Sequence, residues 1–244
     1  MAELTLVGFG PGPWSRLTLE ARDVLMEADR IYVRDPFWEV CGRLVEAGKT
    51  VIGLHHLYLT GMDVGTLYHF FAEIVLGSCR LYGSAVYAVP GNPFVFEFTS
   101  SLLVRRARAE GIPVRVVEGM SCLETIFCRH QLDPGGGLQI LNFFDFAVRG
   151  SVDAQLPALI FQIGAPLDGN FTADGNAYAA NLKLLEERLG KHYSPDHAVA
   201  LFKPAPGDDE RQLRVDGTVG GLRRLEADMT MYSTLFVPAA RGCR

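Results

Sequence analysis

Three short loops rich in glycine and proline are the part of this sequence best suited to holding a small ligand. Val7-Gly8-Phe9-Gly10-Pro11-Gly12-Pro13, Val89-Pro90-Gly91-Asn92-Pro93 and Val117-Glu118-Gly119-Met120-Ser121-Cys122 each follow an apolar run and precede a segment with helical spacing. Glycine lets bare backbone approach a ligand, and in α/β proteins such turns gather at the carboxyl edge of the sheet. The first loop is not a dinucleotide fingerprint, because Pro13 stands where G-x-G-x-x-G needs its last glycine, and no G-x-x-x-x-G-K-[ST] phosphate loop is present. Taken alone it fits a tight turn as well as a ligand cradle. Together the loops are expected to line one cleft between two domains, a usual place for a ligand. Cys41, Cys79, Cys122, Cys128 and Cys243 form no C-x-x-C pair and have no histidine at ligand spacing. They read as reduced thiols, with no metal site.

The elements that must position these loops alternate between strand-like runs and helix-period segments, the pattern of an α/β fold. Strands are expected at 4–7, 31–33, 50–54, 84–89 and 113–117, with helices at 17–28, 37–45, 64–75 and 94–110 between them. Thr18 is a candidate N-cap. This half should be largely parallel and form an N-terminal domain of residues 1–118. Residues 119–244 should form a second α/β domain, with strands at 138–142, 158–163, 197–203, 211–215 and 233–237. Its helices are expected at 122–130, 176–189 and 220–227, with a turn at 133–137 and a loop at 204–210.

The chain has 244 residues, 48% hydrophobic and 21% charged, enough for one large core or two modest ones. Twenty-three basic against 28 acidic side chains give a formal charge of −5, without the electropositive surface that nucleic acid or an anionic membrane would select. No apolar run is long enough to cross a bilayer, and the N-terminus lacks signal-peptide character, so a cytoplasmic protein is expected.

The order of these motifs resembles the tetrapyrrole methylase-like family of S-adenosylmethionine-dependent methyltransferases. Gly8-Phe9-Gly10-Pro11-Gly12 followed by Leu17-Thr18 and Ala21 looks like its opening motif, and Tyr87-Ala88-Val89-Pro90-Gly91-Asn92-Pro93 like its second loop. Val117–Cys122 is similar to its third motif, and Gln162-Ile163-Gly164 with Ser233–Pro238 to its C-terminal landmarks. The resemblance implies two α/β domains, commonly a homodimer, with S-adenosylmethionine held by Gly8, Gly10, Pro11, Gly12, Pro90, Gly91, Asn92, Pro93, Val95, Ser121, Cys122 and Gln162. Gly91→Val is expected to abolish donor binding with the fold intact.

Within the family, Val33-Arg34-Asp35-Pro36, Gly91–Phe96, Leu132-Asp133-Pro134 and Phe146-Ala147-Val148-Arg149 are most similar to the borosin branch, whose members N-methylate peptide backbone amides. Bacterial fusions with a nucleotide pyrophosphohydrolase share a V-P-G-H-P loop close to the one at 89–93. The borosin resemblance implies a peptide or protein backbone amide as methyl acceptor, expected on a separate partner because the sequence stops soon after Val237-Pro238. A corrin or porphyrin precursor is the alternative acceptor, and a non-catalytic donor-binding module the alternative role.

A sulfonium methyl is already electrophilic, so the protein must mainly align donor and acceptor and exclude water. An amide nitrogen is barely nucleophilic and calls for a base or an oxyanion-stabilising donor. Tyr58 and Tyr68 are placed like the tyrosines of the borosin branch, although Asp63, Val64 and Gly65 stand where that branch carries an arginine. Tyr68 fits the apolar stripe of its helix equally well. Further candidates are Asp35, Asp145, and one of His55 and His56, since neighbouring strand residues face opposite ways.

Overall fold

The computed structural model describes residues 2–34, 36, 38–167, 177–203 and 213–240. It divides into two compact units, Met1–His130 and Gln131–Arg244.

In the first unit β1 (Glu3–Gly8), α1 (Leu19–Glu27), β2 (Arg30–Val33), α2 (Glu39–Glu46) and β3 (Thr50–Gly53) follow one another. They are succeeded by α3 (Val64–Tyr82), β4 (Ser84–Val89), α4 (Phe98–Ala109), β5 (Val114–Val117) and α5 (Cys122–His130). The five strands form one sheet in the order β3-β2-β4-β1-β5, every pair parallel. Such a sheet is covered on both faces, so its strands alternate between two cores. Leu4, Leu6, Tyr32, Tyr87 and Val89 face a layer containing Leu67, Phe71, Val75 and Leu76 of α3 and Leu102 and Leu103 of α4. Val7, Ile31, Val33 and Ala88 face Ala21, Val24 and Leu25 of α1 and Val40, Cys41 and Leu44 of α2. Thr18 caps α1 by accepting from the Ala21 amide at 3.1 Å, and Asp63 caps α3 by accepting from Thr66 at 2.9 Å.

The helix expected to begin at Phe94 begins at Phe98 instead. Asn92 Oδ1 accepts from the Phe94 amide at 2.9 Å, Phe96 takes a left-handed φ of 56°, and Glu97 caps α4, so the intervening residues are held in a turn. His55 and His56, expected to end the third strand, instead open a 3-10 turn, His55–Thr60, because β3 stops at Gly53.

The second unit carries β6 (Gln139–Asn142), α6 (Phe143–Arg149), β7 (Ala158–Phe161), α7 (Ala177–Leu189), β8 (Ala198–Lys203), β9 (Leu213–Thr218), a 3-10 stretch (Val219–Asp228) and β10 (Thr234–Val237). Its sheet order is β6-β7-β10-β8-β9; β6 and β7 are parallel and the other pairs antiparallel. α6 has only Phe143, Phe146 and Ala147 as buried positions, too short a stripe to show periodicity. It starts because Asn142 Oδ1 accepts from the Phe144 amide at 2.9 Å and stops at Gly150. The core joins Phe143, Ile160, Leu182, Leu185, Val199, Leu201, Leu222 and Leu235. Residues 204–212, expected as a loop and a strand start, lie outside the described residues. Among the described residues no helix is long and apolar enough to cross a membrane.

Leu235, fully buried on the strand that pairs with both β7 and β8, is the most informative core position of this unit. Leu235→Ala should lower unfolding free energy by about 2–5 kcal/mol. Val148→Ala, at an 81% exposed position, should stay within about 0.5 kcal/mol of the parent in the same urea titration.

Candidate active site

All five strands of the first sheet are parallel, so the loops that leave their carboxyl ends share one edge. The first two glycine loops are joined there as an isolated antiparallel bridge. Gly10 N–H donates to the Gly91 carbonyl at 3.3 Å, Gly91 N–H donates to Gly10 at 2.7 Å, and Phe9 N–H donates to Val89 at 2.9 Å. The third loop packs onto them. A Cβ at Gly8 would overlap the Gly91 carbonyl oxygen and lie 2.6 Å from Gly119 N, and one at Gly119 would overlap the same oxygen and the Gly8 carbonyl. Gly8 and Gly119 are therefore required by the contact of three main chains.

Gly91 differs, because a Cβ there would meet only Ser121 Cα at 3.8 Å, while its φ of 76° is left-handed. The position is spacious but conformationally demanding. Gly91→Val would thus strain the backbone before it could exclude a ligand, contrary to the expectation that the fold would be untouched. Gly10 (φ 70°) and Gly12 (φ 121°) are also left-handed, and a Cβ at Gly12 would strike the Trp38 ring at 2.7 Å. Pro11, Pro90, Asn92 and Val95 are half-buried around this edge, and Pro93 is buried.

Ser121 is buried and caps α5. Its amide and hydroxyl both donate to Glu124 Oε2, at 2.6 and 2.5 Å, and its Oγ accepts from Leu123 N–H at 3.0 Å, a reciprocal capping box. Burial opposes the charge on Glu124, but the Ser121 hydrogen bonds outweigh it and lower that carboxyl's pKa. Burial pushes the half-buried Cys122 thiol up to about 11, so it is uncharged at neutral pH. Cys41, Cys79, Cys122 and Cys128 are all free thiols.

Tyr58 and Tyr68 do come together. Tyr58 stands in the turn after β3 and Tyr68 in the first turns of α3, and their side chains are hydrogen-bonded. Both rings lean on the fully buried Phe71, with centroids at 5.6 Å for Tyr58 and 6.2 Å for Tyr68, and Tyr68 also meets Phe98 at 5.8 Å. Two charged residues that sequence reasoning did not single out as functional complete the group. Arg34, the residue after β2, pairs with the buried Glu97 (Nη1 to Oε2, 3.2 Å), and Glu97 Oε1 accepts from Tyr87 Oη at 3.4 Å and from Thr99 N–H at 3.2 Å. Burial raises the Tyr58 pKa far above the usual phenol range. Arg34 opposes that shift, and Tyr68 and Glu97 add to it. Tyr87 is raised as well, by burial and by Glu97. Tyr58 therefore carries its proton throughout the neutral range.

His55 and His56 lie in a 3-10 turn and not in a strand, so strand alternation is not what separates them. His55 is half-buried and His56 exposed, with rings 5.9 Å apart. Asp145 is exposed in the first turn of α6, and Asp35 lies outside the described residues.

In the second unit Gln162 follows β7 with a left-handed φ of 60°, a cost that non-glycine residues bear mainly at functional sites. Its conformation is enforced from several sides. Gln162 Oε1 accepts from Asn142 Nδ2 at 2.9 Å, and buried Asn181 Nδ2 donates to the Ile163 and Ala165 carbonyls at 2.8 and 2.9 Å.

Residues 3–220 match the family model of the tetrapyrrole (corrin/porphyrin) methylases. The chain belongs to that family. Among relatives, it is 33% identical over 140 residues to the uncharacterized protein YabN of Bacillus subtilis, covering 57% of this chain and 28% of that protein. It is 27% identical over 243 residues to the methyltransferase/ribosomally synthesized cyclic peptide dendrothelin A precursor of Dendrothele bispora, covering 96% of this chain and 57% of that one. The chain thus spans less than two thirds of the length of either relative. Uroporphyrin-III C-methyltransferase from Thermus thermophilus, solved with S-adenosyl homocysteine, superposes with a TM-score of 0.69 at 19% identity over 97% of both chains, which shows a shared fold.

In this member of the family the glycine loops make a sharp mutational contrast. Gly8→Ala drives a methyl group into two neighbouring main chains and should cost at least about 1–3 kcal/mol of stability. Gly91→Ala pays only for its left-handed backbone, about 1–2 kcal/mol. Urea unfolding should rank Gly8→Ala as the less stable, and the reverse order would contradict the loop packing.

Proposed function

We propose that this protein is an S-adenosylmethionine-dependent methyltransferase that N-methylates backbone amides of a peptide. The observation that carries the reading is the hydrogen-bonded pair Tyr58–Tyr68, set with Arg34 and Glu97 on the sheet edge that also carries the glycine loops. The family assignment, the Thermus structure solved with S-adenosyl homocysteine, and the cyclic peptide precursor of Dendrothele bispora support it.

The loops fit a donor bound through main chain: position 91 is open, and the bridge between Gly10 and Gly91 fixes the surface around it. Gly8, Gly10, Pro11, Gly12, Pro90–Pro93, Val95, Ser121 and Cys122 are the first unit's candidates to hold the donor. When bound, S-adenosylmethionine supplies a methyl group whose C–S bond breaks with the electron pair staying on sulfur.

The chain's own residues must make the amide nitrogen nucleophilic. Tyr58, protonated because it is buried, donates its proton to the amide oxygen, while the Tyr68 hydroxyl of the same pair takes the N–H proton. The hydrogen bond between the two phenols lets the pair return to its starting state. The nitrogen of the resulting imidic acid has a free lone pair and attacks the methyl carbon. The O–H proton then leaves to water, giving the N-methyl amide. No metal or covalent nucleophile is needed.

The charge of the site favours an uncharged acceptor. Corrin and porphyrin precursors are edged with carboxylates that bind to cations, whereas the Arg34 charge is already matched by Glu97. Leu59 and Phe98, both exposed beside the tyrosine pair, suit apolar peptide side chains.

Calorimetry should show the protein binding S-adenosylhomocysteine, and Tyr58→Phe should leave that affinity nearly unchanged. With uncharged apolar peptides as acceptor, the same variant should lower single-turnover methylation by about a hundredfold or more. Methylation at the parent rate would remove Tyr58 from the chemistry and leave the amide reading without its main support.

A further inference from the structure

Glu97 is buried and engaged at both oxygens, by Arg34 on one and by Tyr87 and Thr99 on the other. The residue before it, Phe96, is a non-glycine in left-handed conformation, so the chain is bent at some cost to deliver the carboxylate to this point. Arg34 and Glu97 are 63 residues apart in sequence and meet only because β2 and β4 are neighbours in the sheet.

The groups acting on Tyr58 come from each element packed around it. They are Arg34 after β2, Tyr68 on α3 and Glu97 before α4, while Tyr87 on β4 binds the same carboxylate; His55 and His56 share the turn that carries Tyr58. Val33 pairs with Gly53 and the Leu54 amide donates to the Val33 carbonyl at 2.8 Å, so Arg34 and the turn that carries Tyr58 leave neighbouring strand ends, while Tyr68 packs on Phe98, the residue after Glu97, at 5.8 Å; the charge of Arg34 accordingly reaches Tyr58, Tyr87 and Tyr68. We propose that Arg34, clamped by Glu97, is a positioning residue of the methyl-transfer step that keeps positive charge on the side of the sheet edge where Tyr58 stands and so strengthens its hydroxyl as the donor to the acceptor's carbonyl oxygen. This rests on the reading of Tyr58 as that donor. Burial, Tyr68 and Glu97 all tighten the phenol's grip on its proton, and Arg34 acts in the opposite direction. Glu97 has two effects, since it fixes the guanidinium in place and also sets how much of its charge Tyr58 feels.

The test replaces Tyr58 with 3,5-difluorotyrosine, whose phenol titrates nearer neutrality, and follows its fluorine resonance against pH in the full chain. Arg34→Met should raise the apparent pKa by about one unit or more, Glu97→Gln should lower it, and Arg34→Lys should leave it close to the parent. If Arg34→Met alone does not fold, because it strands a buried carboxylate, the double variant Arg34→Met/Glu97→Gln is compared with Glu97→Gln and should show the same upward shift. No shift on removing the guanidinium, in whichever pair folds, overturns the proposal. The titration needs no acceptor, so it stands even if peptide methylation fails. With Tyr58 restored and an uncharged apolar peptide as acceptor, Arg34→Met should lower kcat tenfold or more at unchanged affinity for S-adenosylhomocysteine. A pKa shift with unaltered kcat would also overturn the proposal.

Discussion

The contact of three main chains at Gly8, Gly91 and Gly119 is the constraint on which the first unit's site depends. The Gly91 carbonyl occupies the space that a side chain at either of the other two positions would need. The ends of β1, β4 and β5 are thereby locked into one surface with no side chains between them. Because every strand of the sheet runs the same way, that surface lies on the same edge as the ends of β2 and β3. Arg34 leaves β2 and Tyr58 follows β3, so the charged and phenolic groups are placed by the topology that places the glycine loops.

Electrostatic balance at this edge comes from Glu97. A buried carboxylate is tolerated only when its charge and lone pairs are matched, and here a guanidinium, a phenol and a backbone amide match them. The result is a neutral, hydrogen-bonded group in which Tyr58 keeps its proton. The second unit shows the same economy at Gln162, whose strained backbone is fixed by Asn142 and by the doubly donating Asn181 beyond it.

The first unit was legible in the sequence because a parallel sheet forces each strand to be followed by a crossover helix, so hydrophobic period alone orders the elements. Thr18 as a cap, the strand at 84–89 and the helix at 122–130 were readable in this way. The second unit was harder. β10 closes the sheet between β7 and β8, a long-range pairing that local pattern does not encode, and α6 is too short to show a period. Ordered motifs disclosed the family and the glycine loops, and the resemblance to one branch of it drew attention to Tyr58 and Tyr68. They did not disclose that Gly8 and Gly119 serve loop packing, or that Glu97 belongs with Arg34. Those facts depend on residues distant in sequence, and Glu97 has the ordinary look of a helix-start carboxylate. The left-handed Phe96 has no signature in residue type at all.

The tyrosine pair is proposed to direct a methyl group to an amide nitrogen. This is tested most directly by supplying S-adenosylmethionine with a trideuterated methyl, together with uncharged apolar peptides and, separately, a carboxylate-edged porphyrinogen, and locating the label by tandem mass spectrometry. The label should lie on a backbone nitrogen of the peptide, with the porphyrinogen unlabelled. Label on a carbon of the porphyrinogen, or on a peptide side chain in place of the backbone, would contradict it.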